Sequence, residues 1–234
     1  MGCSSDRPWE PGIQGGPGGL GGQAVSGIQV AALFVRADGP YTNRPDVDAW
    51  TVDRDARLYS GPWPVVAHPP CARWGRFAEA YGHVAGDDEG CFAAALRSVR
   101  SFGGVIEHPE ASIAWSRFGL PRPEKHGEGW VRSLFDPGWS CSVDQGVYGH
   151  ATRKRTWLYW CGRGRPSELD WCDGSKPTPL PGQDYAYIAR NARIRALKAS
   201  GVIVRGLGRD ERELTPPAFA EALIGLAKRS VEAV

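Results

Sequence analysis

The run from Pro64 to Gly75, Pro-Val-Val-Ala-His-Pro-Pro-Cys-Ala-Arg-Trp-Gly, sets a thiol, Cys71, directly after two prolines and a short apolar tract. Val65, Val66 and Ala67 read as a buried strand, and Pro69 and Pro70 stop it and stiffen the following turn. A cysteine at a strand's carboxyl end has the position of a nucleophile, because open α/β sheets gather ligands there. Nearby cations such as Arg73, Arg153 and Arg155 would favour its thiolate. A second segment, Gly103-Gly-Val-Ile-Glu-His-Pro109, brings a carboxylate, Glu107, and an imidazole, His108, to the end of another strand. If the two strands are neighbours, Glu107 and Cys71 line one crevice, where a carboxylate can hold a substrate nitrogen and manage its proton. A third segment, Arg153-Lys-Arg155, precedes Thr156-Trp-Leu-Tyr159. Period two puts its arginines on one side of the chain, where they suit a forked grip on a base edge or phosphate.

These groups need a scaffold. Apolar runs at Ile28–Val35, Ala49–Val52, Pro64–Ala67, Gly103–Ile106 and Trp157–Trp160 predict strands, with a short one at Val202–Val204. Phe92, Ala95, Leu96 and Val99 fall at helical spacing within Cys91–Ser101, and a second helix is expected near Tyr187–Ala199. Thr215-Pro216-Pro217 opens a last helix, with Thr215 at its N-cap and Phe219, Leu223, Leu226 and Ala227 on its apolar face. Strands alternating with helices imply an α/β fold: a Rossmann-like, mostly parallel sheet with flanking helices. Residues 1–24, rich in Gly and Pro, read as a flexible leader, and 25–234 as a single α/β domain. The leader glycines lack the preceding strand and the Gly-Lys-Ser/Thr ending that a phosphate-cradling loop needs.

The formal net charge is only +2, which singles out no partner, but its distribution does. Between Arg153 and Arg212 there are 13 Lys or Arg against 6 Asp or Glu, so a basic insertion at about 161–212 is a phosphate-facing surface or a solvated helix face. Cysteines 3, 71, 91, 141, 161 and 172 form no Cys-x-x-Cys pair and have no matching histidine cluster, which argues against a metal site. With no signal peptide in a chain of this size, a reducing cytoplasm is the expected compartment, and a monomer the expected state. Asp6 stands where a myristoylation signal needs Ser or Thr, no apolar stretch precedes Cys3, and nothing is long and apolar enough to span a membrane.

The ordered set of landmarks resembles the DNA cytosine carbon-5 methyltransferase family, as a short and divergent member, and small bacteriophage and prophage proteins with the same landmarks. Pro69-Pro70-Cys71 matches the family's Pro-Pro-Cys loop, and Glu107-His108-Pro109 stands at its Glu-Asn-Val motif. Ala151-Thr152-Arg153-Lys154-Arg155 stands at its Gln-x-Arg-x-Arg motif, without the Gln. Leu214 to Leu223 echoes the opening of its final helix. The resemblance implies a reduced methyltransferase-type core in which Cys71 is the nucleophile, Glu107 holds ring nitrogen 3, and Arg153 and Arg155 orient the base. It further implies S-adenosylmethionine as cofactor and DNA, or a pyrimidine nucleotide, as partner, in the host cytoplasm if the chain is phage-encoded. The family's Phe-x-Gly-x-Gly turn is reduced here to Phe34 and a late Gly39. Phe34, Gly39, Asp53 or Asp55, and Pro69 are then the cofactor-side residues. The short distance from Phe34 to Pro69 suggests that one strand–helix unit is missing, and no large target-recognition domain is present. Two rivals share these residues: an enzyme modifying a free pyrimidine nucleotide, and a catalytically silent nucleic-acid-binding protein that works through its basic segment and its 10 tryptophans.

Overall fold

The computed structural model describes residues 27, 29–75, 78, 82, 84–124, 129–171, 178–181, 192–201 and 204–232. β1 (Val30–Leu33), β2 (Val47–Trp50), β3 (Val65–Ala67), β4 (Gly104–Pro109), β5 (Val131–Arg132), β6 (Trp139–Asp144) and β7 (Arg155–Cys161) form one mixed sheet. Its order is β2-β1-β3-β4-β7-β6-β5. The first four strands are parallel, while β7 and β6 add antiparallel ladders beyond β4. The two central parallel strands are short and continuous in burial: every residue of β1 and β3 is buried, as expected of strands covered on both faces.

Two layers of helix cover the sheet. On one face lie α1 (Cys91–Phe102) and the single turn α2 (Ala114–Arg117), with Phe92, Leu96, Val99 and Trp115 in the core beneath them. On the other lies α5 (Pro217–Arg229), which buries Phe219, Leu223, Ile224 and Leu226. Each such side chain taken from water contributes about 2 kcal/mol. Two shorter helices, α3 (Ala192–Ala199) and α4 (Arg209–Glu213), and a separate parallel pair, β8 (Thr178–Pro181) with β9 (Val204–Leu207), complete the described elements.

Local chemistry explains the boundaries. Asp88 accepts hydrogen bonds from the Gly90 and Phe92 amides at 3.0 and 2.8 Å, which satisfies the first turn of α1, and from the Trp74 indole at 2.7 Å, which ties the Cys71 loop to that helix. At Gly104 (φ +128°) a Cβ would collide with the backbone of Val65, so the close approach of β4 to β3 requires glycine there.

The sequence expectations hold in outline: an α/β fold around a mostly parallel core of strands. Several details differ. β6 went unpredicted, because Ser140 and Ser142 interrupt the apolar pattern although both are buried. β2 begins two residues before its expected start. The last helix is capped by Pro216, not Thr215, with no side-chain cap bond and Pro217 in its first turn. Among the described residues, helices join parallel neighbours in β3–α1–β4 of the main sheet and β8–α3–β9 of the separate pair, whereas the chain passes from β1 to β2 through residues 34–46 without a helix. The leader at 1–24, Ile28, the helix start at Tyr187, Val202, Ile203, Cys3, Cys172 and much of the basic insertion lie outside the described residues. No helix among the described residues is long and apolar enough to cross a membrane.

Candidate functional site

The chain leaves β1 to one side for β2, while β3 lies on β1's other side, so the crevice of the open sheet falls at the carboxyl ends of β1 and β3. Phe34 turns the chain there in a left-handed conformation (φ +59°), which a bulky side chain adopts only when its surroundings hold it. The Leu33 carbonyl accepts the His68 amide at 3.0 Å, fixing the exit of β3 just before Pro69-Pro70-Cys71.

From this exit a polar chain runs across the sheet. The Tyr41 hydroxyl meets His68 Nε2 at 2.8 Å, and His68 Nδ1 meets Glu107 Oε2 at 3.0 Å. The other carboxylate oxygen, Oε1, accepts from Gln145 Nε2 at 3.0 Å and from the Thr156 hydroxyl at 3.2 Å. Gln145 Nε2 also donates to the Thr156 hydroxyl at 2.8 Å, while Gln145 Oε1 is buried without a hydrogen-bond partner. Burial alone would push the Glu107 carboxyl up; the hydrogen bond and charge of His68, helped by Lys154, instead hold it down at about 2. Glu107 is therefore an ionised acceptor, fixed by three donors.

Cys71 is exposed as a residue. Its thiol is pushed up by local burial and then by the charge of Glu107, while Lys154 pulls it down. Thiol, carboxylate and ammonium thus sense one another. Lys154 is held in place through its backbone and its ammonium. Its amide donates to Asp144 Oδ1 at 2.9 Å, and its Nζ donates to the Leu214 carbonyl at 2.8 Å. The same Asp144 oxygen accepts the Gly146 amide at 2.9 Å and so also sets the turn carrying Gln145. Burial lowers the Lys154 ammonium, against the opposing charges of Glu107, Cys71 and Glu213.

Arg153 and Arg155, expected to orient the base, flank Lys154 where the chain enters β7. Arg155 opens β7 and pairs with Glu110 at 3.7 Å, and Arg153 lies half-buried in the preceding loop. Thr156, on the alternate position, reaches Glu107, and Lys154 acts on it through its charge; a one-residue shift of phase exchanges the two sides of a strand. The expectation that Arg73, Arg153 and Arg155 favour the Cys71 thiolate is corrected: burial and Glu107 raise the thiol, and the cation that opposes them is Lys154. Among the cofactor-side residues, Pro69 is buried beside the site, and Gly39 sits in a turn closed by its amide on the Arg36 carbonyl at 3.1 Å. Asp55 is committed to Arg57, whose Nε it meets at 2.8 Å and whose amide it accepts at 3.0 Å. Asp53 is exposed, with a 3.4 Å contact from the Thr51 hydroxyl. Sequence reading passed over Tyr41, His68, Gln145, Lys154 and Thr156 as site residues. His68 and Lys154 each sit within a tract singled out for its neighbours, but Tyr41 carries no local signal.

No protein-family model matches this chain, and no curated protein sequence matches it. The site therefore has to speak through its own chemistry. The Cys71 thiol, in the loop after β3, is raised by the charge of Glu107 on β4 and lowered by that of Lys154 just before β7, so a nucleophile, an ionised carboxylate and an ammonium lie within electrostatic range of one another. Among the described residues no group of three or more His, Cys, Asp or Glu side chains is placed to hold a metal ion.

Proposed function

We propose that the chain is a cytosine carbon-5 methyltransferase-like enzyme with a reduced core, acting on cytosine in DNA through a covalent adduct with Cys71. The observation that carries this reading is the adjacency of β3, which leads to Cys71, and β4, which bears Glu107, with the charge of Glu107 raising the thiol and that of Lys154 opposing it. Cytosine carbon 5 is a poor nucleophile until a sulfur adds at carbon 6. In that step the Cys71 thiol releases its proton to solvent water, its sulfur forms the S–C6 bond, and the C5–C6 π electrons move toward carbon 5 and ring nitrogen 3. Glu107, as an acceptor, takes an N–H of the exocyclic amino group and so orients the ring. Lys154 offsets negative charge on the thiolate and the ring. After methylation, loss of the carbon 5 proton to solvent water returns the electron pair, breaks the S–C6 bond and restores Cys71 as thiolate.

S-adenosylmethionine fits the switch-point crevice on two observations: the left-handed backbone at Phe34 supplies the tight turn that glycine otherwise would, and Asp53 retains an exposed carboxylate for ribose hydroxyls. Phe34, Gly39, Asp53 and Pro69 would hold it, whereas Asp55 is spent on Arg57. When bound it supplies an electrophilic methyl group. A base within duplex DNA would be flipped out at a cost of a few kcal/mol, roughly.

The test is a covalent trap. DNA carrying 5-fluorocytosine, with S-adenosylmethionine, should give a denaturation-resistant complex with the wild-type protein and none with Cys71→Ala. An adduct that survives Cys71→Ala removes this assignment. An adduct with 5-fluorodeoxycytidylate but not with DNA moves the reaction to a free nucleotide. Salt-sensitive DNA binding with no adduct on either substrate leaves a silent binding protein.

A further inference from the structure

Glu107 enters the reaction without a proton, yet nitrogen 3 of the ring needs one when sulfur adds to carbon 6. The source has to touch Glu107. Of its three donors, Gln145 has no acidic proton to give and Thr156 is a neutral alcohol, which leaves His68. Because the ionised carboxylate accepts only, His68 Nδ1 is the atom bearing the hydrogen between them. On the far side, Tyr41 fixes the ring through Nε2 and is itself wholly surrounded by protein, so the imidazole has no freedom to turn away. Glu107 and His68 are each nearly enclosed, with side chains only 12% exposed, which keeps water from competing for the proton.

Resting on the adduct reading above, we infer that His68 is a positioning residue that lends its Nδ1 proton through Glu107 to ring nitrogen 3 as Cys71 adds. The step balances. When both ring nitrogens of His68 carry hydrogen, Nδ1 passes its hydrogen to Glu107 Oε2, and the carboxylic acid so formed protonates nitrogen 3 as that atom receives the displaced π electrons. A neutral imidazole remains, with its Nε2 hydrogen directed at the Tyr41 oxygen. When carbon 5 loses its proton and the S–C6 bond breaks, the nitrogen 3 proton returns along the same path. Tyr41 keeps its own hydrogen throughout, because burial and the nearby Glu107 charge hold the phenol well above its usual range.

The experiment compares single-turnover adduct formation on 5-fluorocytosine DNA in wild type, His68→Asn and Tyr41→Phe, in light and heavy water, with histidine nitrogen-15 spectra of each protein. Asparagine can donate to Glu107 from about the place of Nδ1 but cannot release a proton. His68→Asn should therefore bind DNA normally, slow adduct formation about 100-fold and lose the solvent isotope effect of the wild type. Tyr41→Phe should slow it about fivefold and keep the isotope effect. The spectra should show a hydrogen on His68 Nδ1 in the free wild-type protein, whether or not substrate is present. Equal rates and equal isotope effects in wild type and His68→Asn, or an Nδ1 without hydrogen, overturn the relay and leave the Cys71 chemistry standing. Absence of any wild-type adduct overturns both.

Discussion

Glu107 and His108 are adjacent on β4, one nearly and one fully buried and both ionisable, and their surroundings treat them in opposite ways. Glu107 faces α5 and the loops of the crevice, where His68, Gln145 and Thr156 donate to it and keep it charged. His108 faces α1 and α2, with the Phe92 ring edge-on at 5.3 Å and the Trp115 ring stacked at 6.3 Å. Its Nδ1 shares a hydrogen bond with the Ser112 hydroxyl at 2.8 Å, and Nε2 has no hydrogen-bond partner. Burial pushes that imidazole down to about 4, so it packs as a neutral aromatic ring. One strand thus carries chemistry on one face and packing on the other. What separates them is the number of polar partners each face supplies.

The largest expected break in this contrast is kinetic. Glu107→Ala should lower adduct formation on 5-fluorocytosine DNA about 10³-fold, the loss expected when a group that orients the ring and passes its proton is removed. His108→Asn, on the packing face, should change that rate by less than about threefold, within ordinary context effects. Similar losses in the two variants would mean that the faces are not functionally distinct.

The same contrast explains what could be read in advance. Apolar runs announce β1, β3 and α1, because every residue of the two strands and most of the helix face is buried. Cys71 and Glu107 were legible because each ends such a run. Their supports were not. Tyr41 is 27 positions from His68, and Gln145 is 38 from Glu107, separations at which only the sheet order makes neighbours. The arginines at 153 and 155 are the conspicuous basic pair, while the phase of β7, set by its ladder with β4, turns Thr156 toward the carboxylate. Local patterning signals burial; the phase of a strand start depends on pairing across the sheet.

A smaller effect separates the faces by acid. His108 resists protonation in the fold until about pH 4, whereas an unfolded histidine takes its proton near pH 6.5. As pH falls through that window the unfolded chain gains a proton that the native chain refuses, so stability drops. The loss between pH 7 and pH 5 should be about 2 kcal/mol. Glu107 works in the next window: its contribution is complete above its ordinary value near 4.5 and is lost as pH falls toward about 2. Denaturant titrations of wild type and His108→Asn at both pH values should show the slope in the first and its absence in the second. An unchanged slope would place the acid sensitivity elsewhere.

The smallest effect tests the charge side of the comparison, at the thiol. Cys71 is raised by burial first and by Glu107 next, with Lys154 opposing both. Cys91, at the start of α1, is also raised by burial, with Asp88 adding to it and Arg57 opposing. Lys154→Met should therefore slow alkylation of Cys71 by iodoacetamide at pH 8 about fivefold, because the thiolate loses its one named favourable charge. Glu107→Gln should speed it by a similar factor. Cys91 should react at its wild-type rate in both variants, since neither Lys154 nor Glu107 is among the charges that act on it. Peptide-resolved mass spectrometry reads both sites in one sample. If Lys154→Met leaves Cys71 as reactive as before, burial alone governs the thiol, and the ammonium's place beside it is packing of the kind that surrounds His108.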